Sequence, residues 1–144
     1  MRKCWLEKSR VVVLRSPKSN YRGFPPRQEP SVRDLIEEIR EFNRRRDWEQ
    51  FHSPKNLAMC LAAEVGELLE QFQWLTEQQS RDLPPARRAA VEEEIGDITL
   101  CLLNLADKLG IDPLDAASRK LRTNEAKYPV HKAKGRADKY SELG

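Results

Sequence analysis

From Ser31 onward, apolar residues return every three or four positions along the chain, with charged residues between them. Val32, Leu35, Ile36, Ile39 and Phe42 fall on one side of a helix with about 3.6 residues per turn. Ser31 precedes them as a cap for amides that lack an intrahelical partner, and Asp34 stands in the first turn, where the helix dipole favours a negative charge. The spacing predicts a first helix to about Trp48. Ser53-Pro54 is a second start signal, a cap followed by a proline whose missing N–H costs nothing at the first helical position. Leu57, Leu61, Val65, Leu68, Leu69 and Phe72 then carry a stripe toward Leu75. Leu83-Pro84-Pro85 interrupts the chain, after which Val91, Ile95, Ile98, Leu102, Leu105 and Leu109 predict the inner face of a third helix, ended by Gly110. Asp112-Pro113 opens a fourth, through Leu114, Ala117 and Leu121 to about Lys127, where Tyr128-Pro129 stops it. No segment reads as a convincing strand. The expectation is an all-α chain, a four-helix bundle with largely antiparallel neighbours, whose small core a second subunit completes.

Residues 1–30 break this pattern. Prolines and a glycine between Ser16 and Pro30 forbid a regular element, so this segment reads as a basic leader without fixed structure. It is followed by a helical domain over 31–130 and a basic tail over 131–144. The formal charge of +3 conceals the division. Residues 1–30 hold eight Lys and Arg against two Asp and Glu, whereas 31–144 hold 18 against 21. The body is therefore acidic, and its charge alone does not point to nucleic acid. An organelle transit peptide is one reading of the leader, a dispensable tail or an upstream start codon the plainer one. Cys4, Cys60 and Cys101 are far apart and odd in number, which excludes a disulfide framework or a C-x-x-C zinc motif and fits a reducing, cytoplasmic setting. No apolar run approaches the roughly 18 residues of a membrane span, so no membrane partner is expected.

The acids of the middle helices change the picture. Glu64 and Glu67 are three apart on the second helix, at the margin of its stripe, and Glu94 and Asp97 repeat the spacing on the third. Acids at this spacing are most often a solvated face. Two such pairs on helices expected to be antiparallel neighbours instead converge. Carboxylates gathered near a low-dielectric interior repel unless protonated, paired with bases or bridged by a cation. Neither local stretch holds a Lys or Arg. A hard divalent cation, Mg²⁺ above all, satisfies such a cluster. Gly66 and Gly96 stand inside these helices at a cost of roughly 1 kcal/mol each, which suggests close helix packing or room for a ligand. Glu70, Glu92 and Glu93 read as surface charges, Glu93 being the nearest to an extra contributor.

The arrangement Glu64-x-x-Glu67 followed by Glu94-x-x-Asp97 resembles the E-x-x-E and E-x-x-D signature of the all-α nucleoside triphosphate pyrophosphohydrolases of the MazG type. Longer strings bring the match nearer to the dCTP pyrophosphatase branch: DWEQFHSPKNL from Asp47, EVGELLEQFQW from Glu64, EEIGD from Glu93 and NEAKYPVHKAKGRADKY from Asn124. The resemblance covers about residues 32–143. It implies Mg²⁺-dependent hydrolysis of dCTP to dCMP and pyrophosphate by attack of water on the α-phosphorus. Glu64, Glu67, Glu94 and Asp97 are then metal ligands and the catalytic set, with the carboxylate that activates water unassigned. It further implies that Lys120, Asn124 and Tyr128, four apart along the end of the fourth helix, contact the triphosphate or sugar. Trp48, Trp74 and His52 would surround the base, with Lys55 and Asn56 weaker phosphate candidates. Relatives form dimers that pair into tetramers, which implies a homo-oligomer here.

Two other readings stay open on the sequence. One is the same chemistry on a broad or non-canonical set of triphosphates. The other, from a different class, is a helical module whose basic ends bind nucleic acid, against which stand the acidic body and the absence of a recognition signature.

Overall fold

The computed structural model describes residues 31–143. Among them are six α-helices and no strand: α1 (Val32–Arg45), α2 (Pro54–Phe72), α3 (Glu77–Arg81), α4 (Pro85–Lys108), α5 (Pro113–Lys127) and α6 (Val130–Ala133). The basic leader, 1–30, lies outside the described residues. The chain divides between Leu105 and Ala106 into two compact units, the first carrying α1 to α3 and most of α4, the second α5 and α6.

The four long helices stand where the periodicity places them, and local chemistry sets their ends. Ser31 and Asp34 form a reciprocal capping box on α1. The Ser53 hydroxyl accepts the Asn56 amide at the head of α2, and the Asp112 carboxylate accepts the amides of Leu114 and Asp115 at the head of α5. α1 and α4 end alike. Past α1 the Trp48 amide donates to the Asn43 carbonyl and the Asp47 amide to that of Arg44, with Asp47 at φ 52°. Past α4 the Ile111 amide donates to Ala106 and the Gly110 amide to Asp107, with Gly110 at φ 63°. Both are Schellman closures, in which one left-handed residue lets two amides satisfy the last carbonyls. α1 therefore stops at Arg45 rather than Trp48, and Trp48 enters a 3₁₀ turn over Glu49–Phe51. The short α3 was not anticipated; Thr76 caps it in a box with Gln79.

The core of the first unit gathers Ile39 from α1, Leu57 and Cys60 from α2, and Val91, Cys101 and Leu103 from α4. It also buries four polar side chains, Asn43, His52, Glu64 and Asn104. α2 and α4 run antiparallel, since Cys60 meets Cys101 while Glu64, one turn onward, meets Asp97 and Glu94, one and two turns back. The sequence reading misplaced the inward stripe. On α4 it is Val91, Glu94, Asp97, Ile98, Cys101 and Asn104 that are buried or half-buried, while Ile95, Leu102 and Leu109 are exposed. On α2, Glu64 replaces Val65 and Leu69 on the inward side. On α5, Leu114, Ala117 and Leu121 are exposed and no residue is fully buried.

Candidate active site

The phase of the stripes puts the acids inside rather than at a margin. Leu57, Cys60 and Glu64 follow at intervals of three and four on the inner side of α2, and Glu64 retains 2% of its accessible surface. Its Oε2 is buried without a hydrogen-bond partner, and its Oε1 accepts weakly from the Cys60 thiol at 3.8 Å. Glu64, Glu94 and Asp97 each bring one carboxylate oxygen within 4.8 Å of the others. Glu67, half-buried one turn beyond Glu64, is near enough for its charge to act on both Glu64 and Asp97. The four acids singled out by spacing thus share one neighbourhood.

Their electrostatics follow from this crowding. Burial first, and then the charges of Asp97, Glu67 and Glu94, push the Glu64 carboxyl up from 4.5 to about 7, against a smaller downward pull from the Cys60 hydrogen bond. Burial also raises Asp97, helped by Glu67 and Glu93. Glu93 is itself exposed, so it contributes field rather than a place in the cluster; Glu70 and Glu92 are surface charges, Glu92 paired with Arg88 at 3.2 Å. An orphaned, buried carboxylate oxygen facing two further acids is a donor set for a hard divalent cation, whose charge would reverse the repulsion. All the donors are oxygen, so the residues present fit such an ion.

Gly66 and Gly96 do not serve close packing. A Cβ built on either would meet nothing within 4 Å, so both leave open space beside the acids.

A second polar group lies in the same unit. His52 is buried rather than exposed, its Nδ1 3.3 Å from the Asn104 amide nitrogen. The Asn43 amide donates to Asn104 Oδ1 at 3.4 Å, and Asn43 Oδ1 is buried without a partner. Trp48 stands edge-on to both His52, at 6.2 Å between centroids, and Phe42, at 5.7 Å. Trp74, just beyond α2, is 85% exposed and is not brought to this group. The Asn56 side chain donates to the Phe51 carbonyl and so braces the 3₁₀ turn, while Lys55 is exposed. Lys120, Asn124 and Tyr128 belong to the second unit. There Lys120 is exposed, Asn124 half-buried, and the Tyr128 amide closes α5 on the Asn124 carbonyl at 2.8 Å. Tyr128 packs edge-on to Tyr140, over which Lys127 Nζ sits at 4.9 Å.

Sequence reasoning missed Asn43, Asn104 and the Cys60–Cys101 pair. Each is a polar or sulfur-bearing residue at a stripe position, a signal visible only once the stripes are correctly phased.

An all-helical chain that brings carboxylates from two antiparallel helices together at the core is of the all-α class to which the MazG-like pyrophosphohydrolases belong. The chain belongs to the MazG-like family, which matches residues 60–143. It is 44% identical to the dCTP pyrophosphatase 1 of Mus musculus over 124 residues, 85% of this chain and 73% of that protein. The dCTP pyrophosphatase 1 of Homo sapiens is 41% identical over 123 residues, 84% of this chain and 71% of that one. A pyrophosphatase of Archaeoglobus fulgidus has a similar solved structure, with a TM-score of 0.65 and 42% identity over 68% of this chain and 92% of the other.

Proposed function

We propose that this protein is a nucleoside triphosphate pyrophosphohydrolase that converts dCTP and water to dCMP and pyrophosphate with Mg²⁺. The observation that carries the reading is Glu64, a buried carboxylate with an unpartnered oxygen, converging with Glu94 and Asp97 in a chain 41–44% identical to dCTP pyrophosphatases. Glu64, Glu67, Glu94 and Asp97 hold the cation. The chemistry a Mg²⁺ held by these residues would supply is offset of the triphosphate's charge, polarisation of the phosphorus and a lowered pKa for bound water. Burial and the neighbouring acids raise the Glu64 carboxyl in the metal-free protein, and the cation held by the four acids would favour its charged form, so the carboxylate that takes the proton from the attacking water is left to Glu64, Glu67, Glu94 and Asp97 as a set.

Lys120, Asn124 and Tyr128 contact the phosphates and sugar in this reading. His52 and Trp48 recognise the base, and Trp74, exposed beyond α2 and apart from them, is the weakest of the three base contacts in this reading. Asn104, itself bonded by Asn43, holds the His52 ring, since a hydrogen bond at Nδ1 sets which ring nitrogen carries the proton. The cytosine preference rests on the named relatives; equal kcat/KM across a panel of bases replaces it with a broad triphosphate substrate. The nucleic-acid reading loses ground, because a cluster of acids repels a phosphate backbone.

Self-association of identical chains is supported by the outward apolar residues of α2, α4 and α5, Leu69, Ile95 and Leu121 among them. Among the described residues no helix is long and apolar enough to cross a membrane, and a cytoplasmic site fits buried thiols.

The deciding experiment is product analysis with dCTP. Pyrophosphate released only with Mg²⁺, and loss of at least about 10³ in kcat for Glu64→Gln with helicity intact, is the expected outcome. Orthophosphate as the first product sinks the assigned bond cleavage.

A further inference from the structure

The acidic site does not use the two cysteines beside it. Cys60 lies one turn before Glu64 on α2, and Cys101 lies one turn after Asp97 on α4, so the antiparallel packing of the two helices brings both sulfurs to the inner end of the carboxylate cluster. Both are buried thiols, and their Sγ atoms are 2.8 Å apart. That separation is too long for a disulfide, about 2.05 Å, and either thiol can donate a hydrogen bond to the other. Cys60 Sγ is 3.8 Å from Glu64 Oε1, and one donor atom from each of Cys60, Cys101 and Glu64 lies within 4.8 Å of the other two.

Core cysteines usually act as small apolar side chains, which require nothing of their neighbours. Here their neighbour is Glu64, whose Oε2 is buried and lacks a donor, and a thiol is a weak donor for the oxygen it does reach. We propose that Cys60, Cys101 and Glu64 form a second cation site, for a soft or borderline divalent ion such as Zn²⁺ or Cd²⁺, which shares Glu64 with the hard-cation cluster. Zinc–sulfur bonds of about 2.3 Å and zinc–oxygen bonds of about 2.0–2.2 Å span a donor set of this size once the sulfurs separate to about 3.8 Å. Both thiols lose their protons on binding, and the two thiolates select against Mg²⁺, which takes oxygen ligands.

The site deepens the functional reading in one respect, and that part alone rests on it. A soft ion held by both thiolates draws Glu64 toward the cysteines and away from the hard-cation cluster, and a second dication beside that cluster repels Mg²⁺. A soft ion bound at the cysteines therefore inhibits the hydrolase.

The test uses the full chain with Cys4→Ser, kept reduced with a phosphine, so that Cys60 and Cys101 are the cysteines that remain. Titration with Cd²⁺ is expected to raise an ultraviolet thiolate-to-metal charge-transfer band that saturates at one ion per chain and persists in excess Mg²⁺. Cys60→Ala and Cys101→Ala are each expected to weaken Cd²⁺ binding by about tenfold or more; each removes a single sulfur, and circular dichroism checks that the helices remain. Absence of the band, or a band unchanged in both variants, overturns the site. In parallel, Cd²⁺ at one equivalent is expected to stop dCTP hydrolysis in the Cys4→Ser chain. The Cys60→Ala, Cys101→Ala double variant, measured against its own cadmium-free rate, should lose that sensitivity. Full activity in the cadmium-loaded chain overturns the sharing of Glu64. A chain inactive on every nucleotide overturns the hydrolase reading instead, and leaves the absorption titration to decide the site.

Discussion

Glu64 carries the most information of any residue in this chain. Its carboxyl is raised from 4.5 to about 7 by burial and by three neighbouring acids, so in the metal-free protein the neutral form dominates below that pH. A folded-state pKa above the unfolded value contributes stability that is fully present below about 4.5 and is lost as pH rises through about 7. Thermal melts of the metal-free protein should therefore show wild type losing Tm relative to Glu64→Gln across that window, with Mg²⁺ restoring wild type alone. Parallel pH profiles of the two proteins refute this. The buried amides make a second prediction. Asn104→Ala removes the partner of His52 Nδ1 and of the Asn43 amide, leaving both buried at a cost of about 1–3 kcal/mol. If Asn104 also positions the ring, KM for dCTP rises more than kcat falls; a Tm loss with unchanged KM makes it a stability residue only. The acids were legible because their spacing of three survives any choice of helix phase. Asn43 and Asn104 were not, because a lone asparagine carries no signal until its neighbours are known to be buried.

The elements were legible where the determinants are local. Ser31, Ser53-Pro54 and Asp112-Pro113 each satisfy or delete backbone donors within one turn of themselves, so their action does not wait for tertiary contacts. The same holds for Gly110, whose φ of 63° closes α4. Gly110→Ala should cost about 1–2 kcal/mol, read as a lower urea midpoint at unchanged m. A midpoint shift no larger than that of an exposed Ala substitution within α5 contradicts this account. Asp47 occupies the equivalent position after α1 and is not a glycine, which explains why that ending was read three residues too far. α3 was missed although the Thr76–Gln79 capping box was in the sequence, because a five-residue helix has no periodicity to confirm it. α4 shows the limit of periodicity. Its apolar positions, Val91, Ile95, Ile98, Leu102, Leu105 and Leu109, fall in one broad stripe, and spacing alone does not say that the core lies toward the edge shared with Glu94, Asp97 and Cys101, leaving Ile95, Leu102 and Leu109 exposed.

At the scale of the molecule, those outward apolar residues are the main unspent feature. Leu69 is 62% exposed and Ile95 51%, each lying off the buried stripe of its helix. A single chain of this size buries a modest core, and identical chains meeting on such faces extend it. Light scattering of wild type should give a multiple of the chain mass, and Leu69→Asp with Ile95→Asp should move it toward one chain; a wild-type monomer at micromolar concentration refutes the assembly. The sequence by itself determined the helices, their caps and the four acids, since each depends on neighbours within one or two turns. Only the tertiary structure decided which side of α2 and α4 turns inward, and with it that Glu64 is buried, that His52 meets Asn104, itself bonded by Asn43, and that Cys60 meets Cys101. Those facts depend on contacts between residues tens of positions apart, and a helical period records the spacing of a stripe without the identity of what covers it.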